Sequence, residues 1–183
     1  WESGERLSRK EFAEHFLQQG HAFFSDDKVA TFLHEGQYWV VPSHPHHRPW
    51  REFEVLGQPV ANVARHARPL RAVYRLLADE PDADIAIDAI KGFRKVETLL
   101  PNYLFSFDYL QARRLRWLAS MTEATPMYAV QCPWNLQRLH ETYLAVCAHA
   151  AASPTLYGRF CHTLAAFRTP LNLPVLSCPG KCV

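Results

Sequence analysis

The sequence predicts an α/β domain: a compact unit with a small mixed sheet, flanking helices and a helical C-terminal region. Three observations predict it. Residues 105–130 read as strand, short loop, helix and, after Pro126, a second strand. Tyr38-Trp39-Val40-Val41 is aromatic and β-branched and stops at Pro42, while Asp82 to Ile90 alternates polar with apolar; both patterns suit strands. From Trp134 onward, Leu136, Leu139, Tyr143, Leu144 and Cys147 recur at helical spacing.

In chain order, Ser8-Arg9-Lys10-Glu11 is a capping box opening a helix with Phe12, Phe16 and Leu17 on its apolar face. Gly20 stops it. Asp26 and Asp27 predict the start of a second short helix holding Val29, Phe32 and Leu33. After the strand at 38–41, residues 43–49 form a polar, proline-punctuated loop, and Phe53 to Leu56 reads as a short strand. Pro59 to Ala67 is predicted helical. A further helix follows from Pro69, carrying Leu70, Val73, Tyr74 and Leu77. A last helix over 156–167 precedes a proline-punctuated tail. Residues 1–183 thus form a single domain, with a core over 37–131 and a helical extension over 134–169.

Composition narrows the function classes. Hydrophobic residues make up 48% and charged residues 21% of the 183, which suits a globular domain and argues against wholesale disorder. No apolar run approaches the roughly 18–20 residues that span a bilayer, so no membrane insertion is expected. A net charge of +2 is too small to imply nucleic-acid binding by itself, so any basic footprint must come from local clustering. The five cysteines are odd in number and widely spaced, which fits a reducing cytoplasm better than a disulfide scaffold. Cys178 and Cys182 form the only close pair and lack a matching His or Cys pair at finger-like spacing.

Four features bear chemistry. Gln111-Ala112-Arg113-Arg114-Leu115-Arg116 opens the predicted helix, with Ala112, Leu115, Leu118 and Ala119 expected on its core face. A helix N-terminus offers unpaired N–H groups and the positive end of the dipole, and thus suits an anion. Arginines there oppose the dipole unless an anion answers them; the alternative is a solvated basic face. Lys91-Gly92-Phe93-Arg94-Lys95 places a glycine and three cations after a predicted strand, as a phosphate-approaching turn or an ordinary exposed one. Asp88 and Glu97 are the nearest carboxylates to ligate Mg2+ or orient a water. His44, His46 and His47 form a loop cluster that either ligates a transition metal or is structural. Arg68, Arg71 and Arg75 would make one stripe on a helix, either tracking a nucleic-acid backbone or facing solvent. No Walker-type loop, GxSxG or HExxH occurs.

Phe107 to Leu118, followed by Ala124-Thr125-Pro126-Met127-Tyr128-Ala129-Val130, resembles the signature of the ParB/sulfiredoxin superfamily, in its plasmid fertility inhibition factor branch. The branch pattern reads Asp-Gly-Arg-His-Arg-Thr-Arg-Trp-Leu, a few residues, then Ile-Pro-Val. Arg116, Trp117 and Leu118 match it outright. Arg114 takes the place of the second arginine and Arg113 that of the histidine. Leu110, Gln111 and Ala112 replace the aspartate, glycine and first arginine, with Asp108 two residues upstream.

The resemblance implies a fold whose motif helix binds nucleotide phosphates, with Gln111, Arg113, Arg114 and Arg116 as the phosphate contacts. It also implies a factor that blocks conjugative or T-DNA export at the coupling protein of the type IV secretion system. ATP with Mg2+ and DNA are the expected ligands. ATP hydrolysis or DNA cleavage would fall to Arg113, Arg114, Asp108 and Glu97. DNA contacts would come from Arg68, Arg71, Arg75, Arg94 and Lys95. Sulfiredoxin's reductase chemistry needs a cysteine inside the motif, and none is present. The alternatives are a non-catalytic inhibitor with a degenerate nucleotide site and a DNA-binding transcription regulator.

Overall fold

The computed structural model describes residues 9–26, 28–47, 57–102, 109 and 111–152. The expected strand at 53–56, the strand expected to open at Phe105, the helix at 156–167, Ser8 of the capping box and the Cys178–Cys182 pair lie outside the described residues.

Helix α1, Arg9–Gln18, ends as its sequence requires. Gly20 takes a φ of 86°, and the Gly20 and His21 amides donate to the Leu17 and Phe16 carbonyls. This is a Schellman cap, which glycine makes at no steric cost.

The next segment is a strand rather than the expected helix. β1, Ala30–His34, pairs antiparallel with β2, Gln37–Val41, in full register from Ala30↔Val41 to His34↔Gln37. Glu35 and Gly36 both have positive φ (50° and 74°), the requirement of a type I′ hairpin turn. Pairing across that turn sets Phe32 opposite Trp39, their rings stacked at 6.4 Å. Val29, Phe32 and Leu33 therefore lie on no helix.

The predicted helices over 59–67 and after Pro69 are also absent. β3, His46–His47, pairs with β4, Gln58–Pro59, and β5, Arg68–Pro69, adds to β2. Between them, the Val60 and Ala64 amides donate to the Pro45 and Phe23 carbonyls, so this backbone is satisfied by neighbouring segments instead of by itself. β6, Val73–Asp79, runs parallel to β8, Met127–Pro133, over seven residue pairs. The apolar spacing in 70–77 fits either a helix turn or a strand buried on both faces, and pairing with β8 decides it. Arg68, Arg71 and Arg75 consequently form no helical stripe. They lie on β5, on the connection after it and on β6, all exposed.

β7, Ala86–Ala89, falls inside the predicted strand and pairs antiparallel with the other edge of β8, giving a mixed sheet of order β6-β8-β7. α2, Phe93–Leu99, was not anticipated from the sequence. α3, Gln111–Ala124, and α4, Leu139–Ala152, occupy predicted helical stretches. The architecture is α/β with a small mixed sheet. Its core joins Val130 and Cys132 of β8 to Leu139 and Val146 of α4 and Phe12 of α1, with Tyr74, Leu76 and Ile87 packed against them. Leu144, expected on the α4 core face, is 52% exposed; Thr142 and Val146 are buried instead.

Candidate phosphate-binding site

The sequence-predicted site lies on the α2–α3 pair, which is antiparallel. Lys95, in the first turn of α2, donates from Nζ to the Thr122 and Thr125 carbonyls at the C-terminal end of α3 (2.6 and 3.0 Å). Arg114, in the first turn of α3, donates from Nη2 to the Leu100 carbonyl just past α2 (3.1 Å). One cation thus ties each end of the pair. Lys95 also neutralises the negative end of the α3 dipole.

These ties set the rotation of α3. Leu118 and Met121 are buried, with Arg114 and Trp117 half-buried on the same side. Trp117 meets Tyr38 of β2 edge to face at 6.1 Å. Ala112, Leu115 and Ala119, expected on the core face, are exposed, Leu115 by 58%. The helix is turned so that an arginine stem and an indole take the positions expected of small and aliphatic residues. A long arginine can lay its methylenes along apolar surface while its head finds a carbonyl.

Arg113, Arg116 and Gln111 are exposed at the opening of α3, and the first turn carries no acid. Arg113 and Arg114 therefore diverge: the first faces solvent and the second holds backbone. Glu97 is exposed in the last turn of α2, at the same end of the pair. Asp108 lies outside the described residues. Arg94 is exposed at the opposite end, beside Lys95.

That opposite end holds a cleft that sequence reasoning saw only in part. It encloses about 470 Å³ between the β1–β2 turn, the β5–β6 connection, the end of β7 and the α3–β8 junction. Leu70, Pro126 and the buried Ile90 and Met127 supply apolar lining, while Arg71, Lys91 and Lys95 supply cations. Among its described lining residues Glu123 is the single carboxylate. Gly92, which precedes α2, has a φ of 57°, and no heavy atom lies within 4 Å of where its Cβ would stand. The Lys91-Gly92 dipeptide was the visible signal. The partners across the cleft come from residues distant in sequence.

The histidine loop divides. His47 donates from Nδ1 to Asp26 Oδ1 at 2.7 Å, both side chains almost fully buried, with Phe23 edge-on to the imidazole. Asp26 is the carboxylate the sequence did not place there. Among the described residues no group of three or more His, Cys, Asp or Glu side chains could hold a metal ion. A second imidazole contact joins α1 to α4: His15 Nε2 lies 3.1 Å from His140 Nδ1, and Tyr143 meets both rings. Burial, and then His140, holds the His15 pKa below its ordinary value. The buried Cys132 thiol contacts the Leu77 carbonyl at 3.4 Å and is pushed up by burial and by Asp79. Such a thiol is a packing group rather than a nucleophile.

No protein-family model matches the chain, and no curated protein or solved structure matches it. Among the described residues, no helix is long and apolar enough to cross a membrane.

Proposed function

We propose that this chain is a phosphate-binding domain of the ParB/sulfiredoxin type, holding nucleic-acid phosphate at the opening of α3. Its biological role, on the motif resemblance, is inhibition of conjugative or T-DNA export at the coupling protein of the type IV secretion system. The observation that carries the binding reading is the pair Arg113 and Arg116, exposed in the opening turns of a 14-residue helix with no acid in its first turn. Two guanidinium forks beside the positive end of a helix dipole suit phosphate oxygens and disfavour carboxylates only by geometry.

Turnover of ATP or DNA with Mg2+ would draw on Glu97 and on Asp108. A specific observation favours the simpler reading of a non-catalytic inhibitor. Arg114, which takes the place of the motif's second arginine, is engaged by the Leu100 carbonyl.

Incubation with ATP and Mg2+, with and without DNA, separates the two when phosphate release and strand cleavage are scored beside Arg113→Ala/Arg116→Ala. Turnover that disappears in the variant establishes catalysis. DNA retention without turnover selects the binding inhibitor. Loss of neither DNA nor nucleotide binding in the variant would remove the site from the opening of α3.

A further inference from the structure

β1 is the outer strand of the β1-β2-β5 sheet, and among the described residues no strand lies beyond it. The two-residue turn at Glu35-Gly36 fixes which of its backbone groups face that open side. The pair that closes such a turn, His34↔Gln37, is hydrogen-bonded. Alternation along the antiparallel ladder then turns Ala30, Phe32 and His34 toward β2, and Thr31 and Leu33 away from it. The Tyr38 carbonyl, opposite Leu33, accordingly points away from β1 and accepts from the Leu70 amide. Open strand edges are normally guarded by charge, proline or a bulge. β5, the other edge of this sheet, is two residues long and carries Arg68 and Pro69. The outer strands of the second sheet, β6 and β7, carry Arg75 and Asp88. β1 reads Ala-Thr-Phe-Leu-His, unbroken in register, with no guard of these kinds. Its apolar side chains are open to solvent: Phe32 is 42% and Leu33 53% exposed, and Val29 just before the strand is exposed too.

We propose that β1 pairs with β1 of a second copy of this chain, antiparallel, about a two-fold axis at Phe32. In this register the strand is complementary to itself. Thr31 and Leu33, the residues whose backbone groups face outward, stand opposite each other across the axis and exchange both N–H···O=C bonds in each pair. Phe32 meets its own copy as the intervening non-hydrogen-bonded pair, where side chains come closest. That adds a ring to a face where Phe32 already stacks on Trp39 at 6.4 Å. Lys28 and Glu35, both exposed, flank the strand at opposite ends. An antiparallel copy sets each beside its opposite charge, whereas a parallel copy would set like beside like. An unrelated peptide would gain the backbone bonds without this match of ends and centre. Pairing also consumes the open edge and leaves β5 outermost on both sides, so association stops at the dimer. The strand is short, so the interface lies at the low end for specific pairs, and the dimer dissociates between about 1 µM and 1 mM. The inference is independent of the phosphate-binding reading.

The test is sedimentation equilibrium of the full chain over about 1 µM to 1 mM, under reducing conditions so that cysteines cannot link copies. Leu33→Lys, Leu144→Lys, Lys28→Glu and Lys28→Glu/Glu35→Lys run beside it, with far-UV circular dichroism and the thermal midpoint confirming that each is folded. All four positions are exposed. The unaltered chain is expected to show a reversible monomer–dimer equilibrium. Leu33→Lys should weaken it by about tenfold or more, since a lysine on the pairing edge is the guard that β1 lacks. Leu144→Lys, at an equally exposed leucine on α4, should leave it unchanged. Lys28→Glu should weaken it several-fold, and adding Glu35→Lys should restore it. Amide exchange on the unaltered chain reads the pairing itself. Protection of the Thr31 and Leu33 amides should rise with concentration, while that of the Phe32 amide, already turned toward β2, should not. A monomer at every concentration would overturn the proposal. So would a dimer as sensitive to Leu144→Lys as to Leu33→Lys, or one that forms without protecting Thr31 and Leu33.

Discussion

The two ends of the α2–α3 pair carry similar charge in different settings. At the opening of α3, Arg113 and Arg116 are exposed. At its close, Lys91, Arg71 and Lys95 surround a concavity floored by apolar side chains. An exposed basic end suits a long phosphate backbone that reaches it from outside, because each contact is independent and salt-sensitive. A concave one suits a small ligand that buries most of its own surface. Counting cations along the sequence cannot separate these cases. Position relative to the rest of the fold does.

α3 is the element common to both ends, so the largest predicted effect is the loss of its anchor. Leu118 is 1% exposed and lies midway along the helix. Leu118→Ala is expected to destabilise by about 2–5 kcal/mol, read by denaturant unfolding, and to weaken DNA binding at the opening of α3. Retained stability would mean that α3 is not held by this contact. Lys95→Met comes next, at about 1–2 kcal/mol, because it leaves the Thr122 and Thr125 carbonyls without their charged donor. It should disturb the cleft and spare DNA binding at the other end. Loss of DNA binding in this variant would break the comparison.

The smallest effect belongs to a region outside the pair. The His15 pKa is lowered in the fold, so the unfolded chain binds more protons across the interval below the ordinary value of 6.5. Stability should therefore be flat above that pH and fall as the pH drops through the interval. His15→Gln should flatten the fall in a thermal-midpoint profile. A profile identical to that of the unaltered chain would show that the α1–α4 imidazole contact contributes nothing to acid sensitivity.

Much of the second half of the fold was legible in the sequence. Gln111–Ala124 carries good helix formers and ends before Pro126, and Met127–Pro133 follows as a strand. Ala86–Ala89 alternates as a half-exposed strand should. The first half was not, because its elements are short and held by partners far away. The β1–β2 turn uses Glu35-Gly36 rather than the Asn-Gly that marks a hairpin, so Val29, Phe32 and Leu33 suggest a helix equally well. Val73–Asp79 becomes a strand through pairing with residues more than fifty positions later. At the site, the arginine cluster was visible, but the rotation of α3 depends on the Leu100 carbonyl and the Tyr38 ring, which no local pattern encodes. The cleft was legible only at Lys91-Gly92. Part of its opposite wall comes from Gly36 and Gln37 at the β1–β2 turn, a hairpin whose first strand sequence reading took for a helix.

The proposed hold of phosphate backbone by the opening of α3 is read from DNA affinity measured against salt concentration for the unaltered chain and for Arg113→Ala/Arg116→Ala. If both arginines neutralise phosphates, the variant should bind more weakly, and the slope of log affinity against log salt should become shallower by about 2. An unchanged affinity and slope would contradict the account and place any DNA contact elsewhere on the molecule.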